Sequence, residues 1–360
     1  MKDPAKVNMK FTLLFWVLLF AAAMPLLLKL AWEKDIVIAD VTREQTGSGS
    51  AGESASWHSG QNKDLGMRLL LQESENRSKS FKVPLSEGTR AEDVVMENRY
   101  MEGQLWIYIE GAQEDFYREK TLDGDVSVVT EAYCESRKNG VILKLHMSEV
   151  LEYHSTMEEN ALTVAYKSPQ ELYDTIIVID PAGGGSESGI TYGSFSEKEL
   201  ALRVAELLQQ ETVPSNVKLY FTRLEDVDVT REQRLSLIEN AAADFFLRIG
   251  AWEDAENPQS YGIQSFYNES YYIPGFGNLE LADTVTRQVT ISASNRAAGV
   301  FASPQGSILE EITIPAAQLS LGYLSNPEEN RLLQQESYQQ KLAEGIVDAI
   351  SKICEERDKE

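Results

Sequence analysis

The sequence predicts an α/β domain in its second half, a mixed sheet flanked by helices. A small β-rich domain, a flexible linker and an N-terminal transmembrane helix precede it. Three observations support this order. From Tyr173 onward, apolar β-branched runs alternate with amphipathic stretches of helical period, the pattern of a sheet covered by helices. Between 81 and 168, short alternating runs are separated by Gly, Asp and Asn. Near the N-terminus, one uncharged apolar stretch is long enough to cross a bilayer.

Lys2, Lys6 and Lys10 precede the apolar stretch Phe11–Leu28, whose eighteen residues rise ~27 Å as a helix, close to the hydrocarbon thickness. Ala21–Ala23 could mimic a signal-peptide cleavage site. Apolar residues nevertheless continue through Leu26–Leu28 and Leu30–Trp32, with Lys29 able to snorkel and Trp32 suited to the interface. The expectation is an uncleaved anchor over 11–32 and a cytoplasmic tail over 1–10. Everything from Glu33 then lies outside, in a single-pass protein of the cell membrane. Residues 33–80 read as a flexible linker, rich in Ser, Gly, Glu, Asn and Gln beyond residue 40, in which only Leu65–Leu71 keeps an apolar pattern.

The β-rich domain, 81–168, carries strand-like runs at Leu105–Ile109, Val126–Val129, Gly140–Leu145 and Ala161–Tyr166. His146 and His154 fall here and read as ordinary surface or core residues. In the α/β domain, 173–358, strands are expected at Ile176–Ile179, Lys218–Thr222, Asp244–Ala251, Gly262–Tyr267 and Ala316–Tyr323. Helices are expected at Ser196–Gln210, capped by Ser194 or Ser196, and at Thr230–Ala242, Leu279–Thr290 and about Ser337–Glu355. Ligands of such sheets bind at the carboxyl ends of strands, where Asp180–Gly185 lies.

A net charge of −24 over 360 residues argues against nucleic acid, which needs clustered Lys and Arg, and disfavours polyanions in general. Cys134 and Cys354 are the only cysteines, too far apart for a disulfide framework, and predict two free thiols or at most one bridge.

Several motifs then recur in order: Ile176-Val-Ile-Asp-Pro181 with Gly184-Gly185, Ser196–Leu200, Phe221-Thr-Arg223 with Asp226 and Arg234, Ala243-Asp244, Asn295-Arg296, Pro315-Ala316 and Leu321–Glu329. Together they resemble the zinc-dependent N-acetylmuramoyl-L-alanine amidases, which cut the bond between glycan and stem peptide in bacterial peptidoglycan. The strand rhythm of 81–168 weakly resembles the AMIN-type wall-targeting domains that precede some amidases. The family's chemistry implies two His and one Glu as metal ligands, with the fourth position left for water, and a further Glu as general base.

Set against that pattern, Asp180-Pro-Ala-Gly-Gly-Gly185 has Gly183 where the first His belongs. Glu197 matches the Glu ligand. Arg248-Ile-Gly-Ala-Trp252 has Gly250 at the second His, and Ser320 stands at the general base. The chain's three histidines, His58, His146 and His154, all precede the domain. The expectation is therefore no zinc cofactor, no catalytic residue, and a vestigial pocket formed by Asp180, Glu197, Trp252 and Ser320. Trp252 and Tyr192 lie near that pocket and would stack on sugar, contact a partner or pack internally. Glu187, Glu253, Asp254 and Glu256 would either hold a harder cation or form solvated acidic loops. Ser320 has no histidine in its domain to activate it as a nucleophile.

Three functions follow from the resemblance. The first is a membrane-tethered pseudoenzyme that binds peptidoglycan or a cell-wall or membrane protein. The second is an active amidase that uses non-standard ligands such as His146 or His154. The third is a scaffold for a membrane complex.

Overall fold

The computed structural model describes residues 66–74 and 78–357, with the backbone of a short strand at Ile38–Asp40. The expected cytoplasmic tail and transmembrane anchor, and most of the expected linker, lie outside the described residues. No helix among the described residues is long and apolar enough to cross a membrane.

The run Thr175–Pro181 (β1) opens with five β-branched residues and is buried along its whole length, as a parallel strand with neighbours on both sides must be. Around it, among the described residues, six strands form one sheet: Val217–Phe221 (β2), β1, Phe245–Trp252 (β3), Ala316–Tyr323 (β6), Ile263–Tyr267 (β4) and Ala297–Ala302 (β5), in the spatial order β2-β1-β3-β6-β4-β5. The β1/β2, β1/β3, β3/β6 and β4/β5 pairs are parallel, and β4 runs antiparallel to β6. The helices Glu197–Gln210 (α1), Arg231–Asn240 (α2), Asn278–Ala293 (α3), Pro327–Leu333 (α4) and Glu336–Arg357 (α5) complete the unit.

Leu200, Val204 and Leu208 of α1 share one core with Val285 and Val289 of α3, Leu342, Ile346 and Ile350 of α5, and one face of the sheet. Ser196 caps α1 by accepting from the Glu199 N–H, while the Glu199 carboxylate accepts from the Ser196 N–H at 2.9 Å. On the opposite face, Ile176, Val178, Tyr220 and Phe246 pack with Leu237 of α2 and with Leu309.

The elements expected at Ile176–Ile179, Ser196–Gln210, Ala316–Tyr323 and about Ser337–Glu355 are observed at Thr175–Pro181, Glu197–Gln210, Ala316–Tyr323 and Glu336–Arg357. Among the elements the sequence does not announce are β5, α4 and a small hairpin that pairs Thr191–Tyr192 with Phe195–Ser196. Upstream, among the described residues, two sheets of six and five strands face one another across a core that includes Phe81, Val83, Met96, Leu105, Ile107, Leu143, Leu162 and Val164. Val126–Val128 turns rather than forming a strand, and the strand there runs Val129–Arg137. Met67–Arg68 and Leu70–Glu73, inside the stretch expected as linker, pair with Tyr133–Cys134 and with Thr121–Gly124. The apolar pattern of Leu65–Leu71 is the sequence trace of that pairing.

The upstream sheets reach the α/β unit at β2, an edge strand. The Tyr100 hydroxyl donates to the Phe221 carbonyl and accepts from the Phe221 N–H, both at 3.1 Å, and its ring meets Tyr220 edge-on at 4.9 Å. Glu152 accepts from the Tyr220 hydroxyl at 2.6 Å and pairs with Lys218 at 2.9 Å. An outward-facing backbone pair on an edge strand is thereby satisfied and covered. Both cysteines are free, Cys134 buried and Cys354 half-buried.

Candidate functional site

The loop leaving β1 is fixed from beneath by arginines. Asp180 is wholly buried. Its Oδ1 accepts from Thr222 Oγ1 at 2.6 Å and from Arg234 Nη1, and its Oδ2 accepts from Arg248 Nη1. Burial opposes its ionisation, but the two guanidiniums outweigh that cost and hold the carboxyl below the usual carboxylate range. Arg223 is also fully buried, and its hydrogen bonds among the described residues all go to carbonyls. It donates to the carbonyls of Pro181 (3.1 Å), Ala182 (2.8 Å), Lys198 (3.0 Å) and Glu225 (3.1 Å). Burial, then repulsion from Arg234, push its pKa down, though a guanidinium stays protonated at neutral pH. Arg234 Nη2 adds a bond to the Gly183 carbonyl at 2.9 Å.

Above this base the residues at the family's ligand positions converge. Gly250 and Ser320 are register partners across β3 and β6, and Glu197 opens α1 beside them. The Glu197 carboxylate is buried and turned onto backbone. Its Oε1 accepts from the Ala251 N–H at 3.0 Å, and its Oε2 from the Ile190 N–H at 3.2 Å. A Cβ built on Gly250 would stand 2.3 Å from Glu197 Oε1, so the carboxylate fills the space a side chain at 250 would need. Gly183 adopts a φ of 67°, in the left-handed region, where a Cβ would lie 2.5 Å from the Glu187 carbonyl. Ser320 is buried, its hydroxyl directed at the Gly322 carbonyl at 3.4 Å.

These residues do not fit zinc. Two glycines and a serine supply no imidazole or carboxylate, and the one remaining carboxylate is engaged by two backbone N–H groups. Among the described residues, no group of three His, Cys, Asp or Glu is placed to hold a metal ion. His146 packs edge-on against Tyr133 at 5.9 Å within the upstream six-stranded sheet. Asp254 accepts from the N–H groups of Glu256 and Asn257 and from Ser260 Oγ, so its oxygens close a turn.

Of the expected pocket residues, Asp180 lies near the carboxyl end of β1, Ser320 lies within β6 and Glu197 opens α1. Trp252 instead packs its ring on Phe266 of β4, centroids 4.4 Å apart, while Tyr192 is exposed on the small hairpin. The arginines 223, 234 and 248 were not anticipated as site residues. Arg223 and Arg234 had a signal in the motif order, whereas Arg248 looks like a surface charge until its strand is threaded through the sheet.

Residues 177–352 match the family described as N-acetylmuramoyl-L-alanine amidase. The germination-specific N-acetylmuramoyl-L-alanine amidase of Bacillus subtilis is 28% identical over 199 residues, covering 51% of this chain and 81% of that protein. The putative N-acetylmuramoyl-L-alanine amidase YrvJ, also of Bacillus subtilis, is 31% identical over 182 residues, covering 50% of this chain and 34% of that one. Among solved structures, the N-acetylmuramoyl-L-alanine amidase from Clostridium difficile 630 aligns with a TM-score of 0.47 at 26% identity, over 50% of this chain and 97% of that one. The second half of this chain is thus a domain resembling the N-acetylmuramoyl-L-alanine amidases.

Proposed function

We propose that the chain is a membrane-anchored, extracytoplasmic protein that uses its amidase-like domain to bind cell-wall glycopeptide without hydrolysing it. The observation that carries this reading is the engagement of Glu197. Its oxygens, matched to a metal ligand in the family pattern, are hydrogen-bonded to the Ala251 and Ile190 N–H groups, and Gly183 and Gly250 flank it without donors. Residues 177–352 match the family's model along the whole domain, which supports retained recognition. Function resides in sites rather than folds, so binding needs its own demonstration.

The test is sedimentation of the full-length protein with purified peptidoglycan, beside an assay of amide hydrolysis with added zinc. The expected result is co-sedimentation with no release of stem peptides. Stoichiometric zinc together with stem-peptide release would overturn the reading in favour of an active amidase with unusual ligands. Capture of membrane proteins without any affinity for peptidoglycan would favour a scaffold instead.

A further inference from the structure

We propose that the cleft beside the Asp180 loop is a binding site for a small oxyanion, a carboxylate or a phosphate, with Arg248 as its principal donor. The cleft encloses about 370 Å³ and is lined by Glu187, Arg231, Arg234, Arg248, Gln318 and the segment 304–308. That volume lies in the range of small-molecule sites. The inference goes beyond the wall-binding reading and stands without it.

Charge is the first argument. In a protein of net charge −24, Arg223, Arg234 and Arg248 gather around the buried Asp180, and the buried Glu197 also acts on Arg248. Asp180 offsets one positive charge, Arg234 and Arg248 both lean on it, and Arg223 beside them is solvated only by carbonyls. Among the charged side chains that line the cleft, Arg231, Arg234 and Arg248 outnumber Glu187, in surroundings that screen poorly, where an incoming anion is worth more than at an open surface.

Donor bookkeeping singles out Arg248. Arg231 directs Nε to Glu311, Nη1 to the Gly306 carbonyl and Nη2 to the Ser307 carbonyl. Arg234 spends Nη1 on Asp180, Pro181 and Thr222, and Nη2 on Gly183. Arg248 gives Nη1 to Asp180 Oδ2, and no other bond of its guanidinium is formed among the described residues. With 16% of its side-chain surface open, it presents its remaining N–H groups to the cleft while Asp180 fixes the plane of the fork. A preoriented guanidinium with free donors is the geometry that receives a carboxylate or phosphate in bidentate fashion. Gln318, on the neighbouring strand and opposite Arg248 in register, adds an amide to the same wall. Glu187 is the one acidic side chain in the lining. It is exposed and set to weaken anion binding modestly.

The experiment is calorimetric titration of the full-length protein, in a neutral detergent at low salt, with inorganic phosphate and separately with glutarate. The two probes distinguish a phosphate site from a carboxylate site, and saturable binding of either supports the proposal. Arg248→Gln removes charge-assisted bonds and should weaken binding by about tenfold or more. Glu187→Gln should tighten it about twofold, the size expected for a screened rim charge. Arg287→Gln, on the exposed face of α3 and paired with Asp283, should leave it unchanged. Absence of saturable binding by both probes overturns the proposal, as does binding that Arg248→Gln leaves intact. If Arg248→Gln fails to fold, the exposed Glu187→Gln decides, because failure to tighten then refutes the assignment.

Discussion

Replacing Asp180 by Asn tests whether the cleft floor is an electrostatic keystone. The substitution keeps shape and removes one charge. The Thr222 hydroxyl can still donate to the amide oxygen, but the amide nitrogen then faces an arginine, donor against donor. Arg234, with 4% of its side-chain surface open, and Arg248, with 16%, lose the carboxylate that both pair with, while Arg223 stays buried beside them. Breaking a buried pair by removing one partner costs about 3–5 kcal/mol, because an uncompensated charge remains. Urea unfolding of the full-length protein, followed by far-UV circular dichroism, should show a loss of that order at pH 7.

The pH profile supplies a second readout. Because the folded-state pKa of Asp180 is depressed, its contribution is fully present above the unfolded carboxyl value of about 3.9. The contribution is lost as pH falls below that value and through the folded pKa. The gap between wild type and Asp180→Asn should therefore hold steady from neutral pH to about pH 5 and close below about pH 4. A loss under about 1 kcal/mol at pH 7, or a gap that does not narrow in acid, would refute the view that this carboxylate neutralises the arginines.

Gly250→Ala should cost about 1–3 kcal/mol in urea unfolding, since its Cβ displaces Glu197 Oε1 from the buried Ala251 N–H. A neutral result would show that the carboxylate moves aside freely. Tyr100→Phe keeps the ring but strips both partners from the Phe221 backbone, and should lower stability by about 1–3 kcal/mol by the same assay. Zinc at saturating concentration should leave the melting temperature of the full-length protein unchanged. Occupancy at a hundred times Kd would instead add about 2.7 kcal/mol and raise the midpoint by several degrees.

How much of this was legible in the chain depends on whether a feature is local. The run Thr175–Ile179 announces a buried strand by composition, and Ser196 with Glu199 announces a helix start by a three-residue spacing. The strand Ala297–Ala302 does not announce itself, since three of its six residues are alanines and a fourth is a glycine, and its side chains are half-buried to exposed at the sheet edge. Helix α2 buries only Arg234 and Leu237, so its fold contribution rests on a charged residue that periodicity counts as solvent-facing.

The site divides the same way. Gly183, Glu197, Gly250 and Ser320 can be placed by motif order alone. That Glu197 has turned onto the Ala251 and Ile190 N–H groups requires the crossing of three segments. Arg248 lies 68 residues from the carboxylate it meets, and no spacing rule links them.

The φ of 67° at Gly183 limits what engineering can do at this loop. Exchanging side chains at 183, 250 and 320 would not suffice to install a metal centre, because an imidazole at 183 would have to hang from a main-chain shape that L-amino acids rarely tolerate. The path of the loop itself must be redrawn first. Any route that adds a donor at 183 before the bend moves passes through a loop whose backbone is strained.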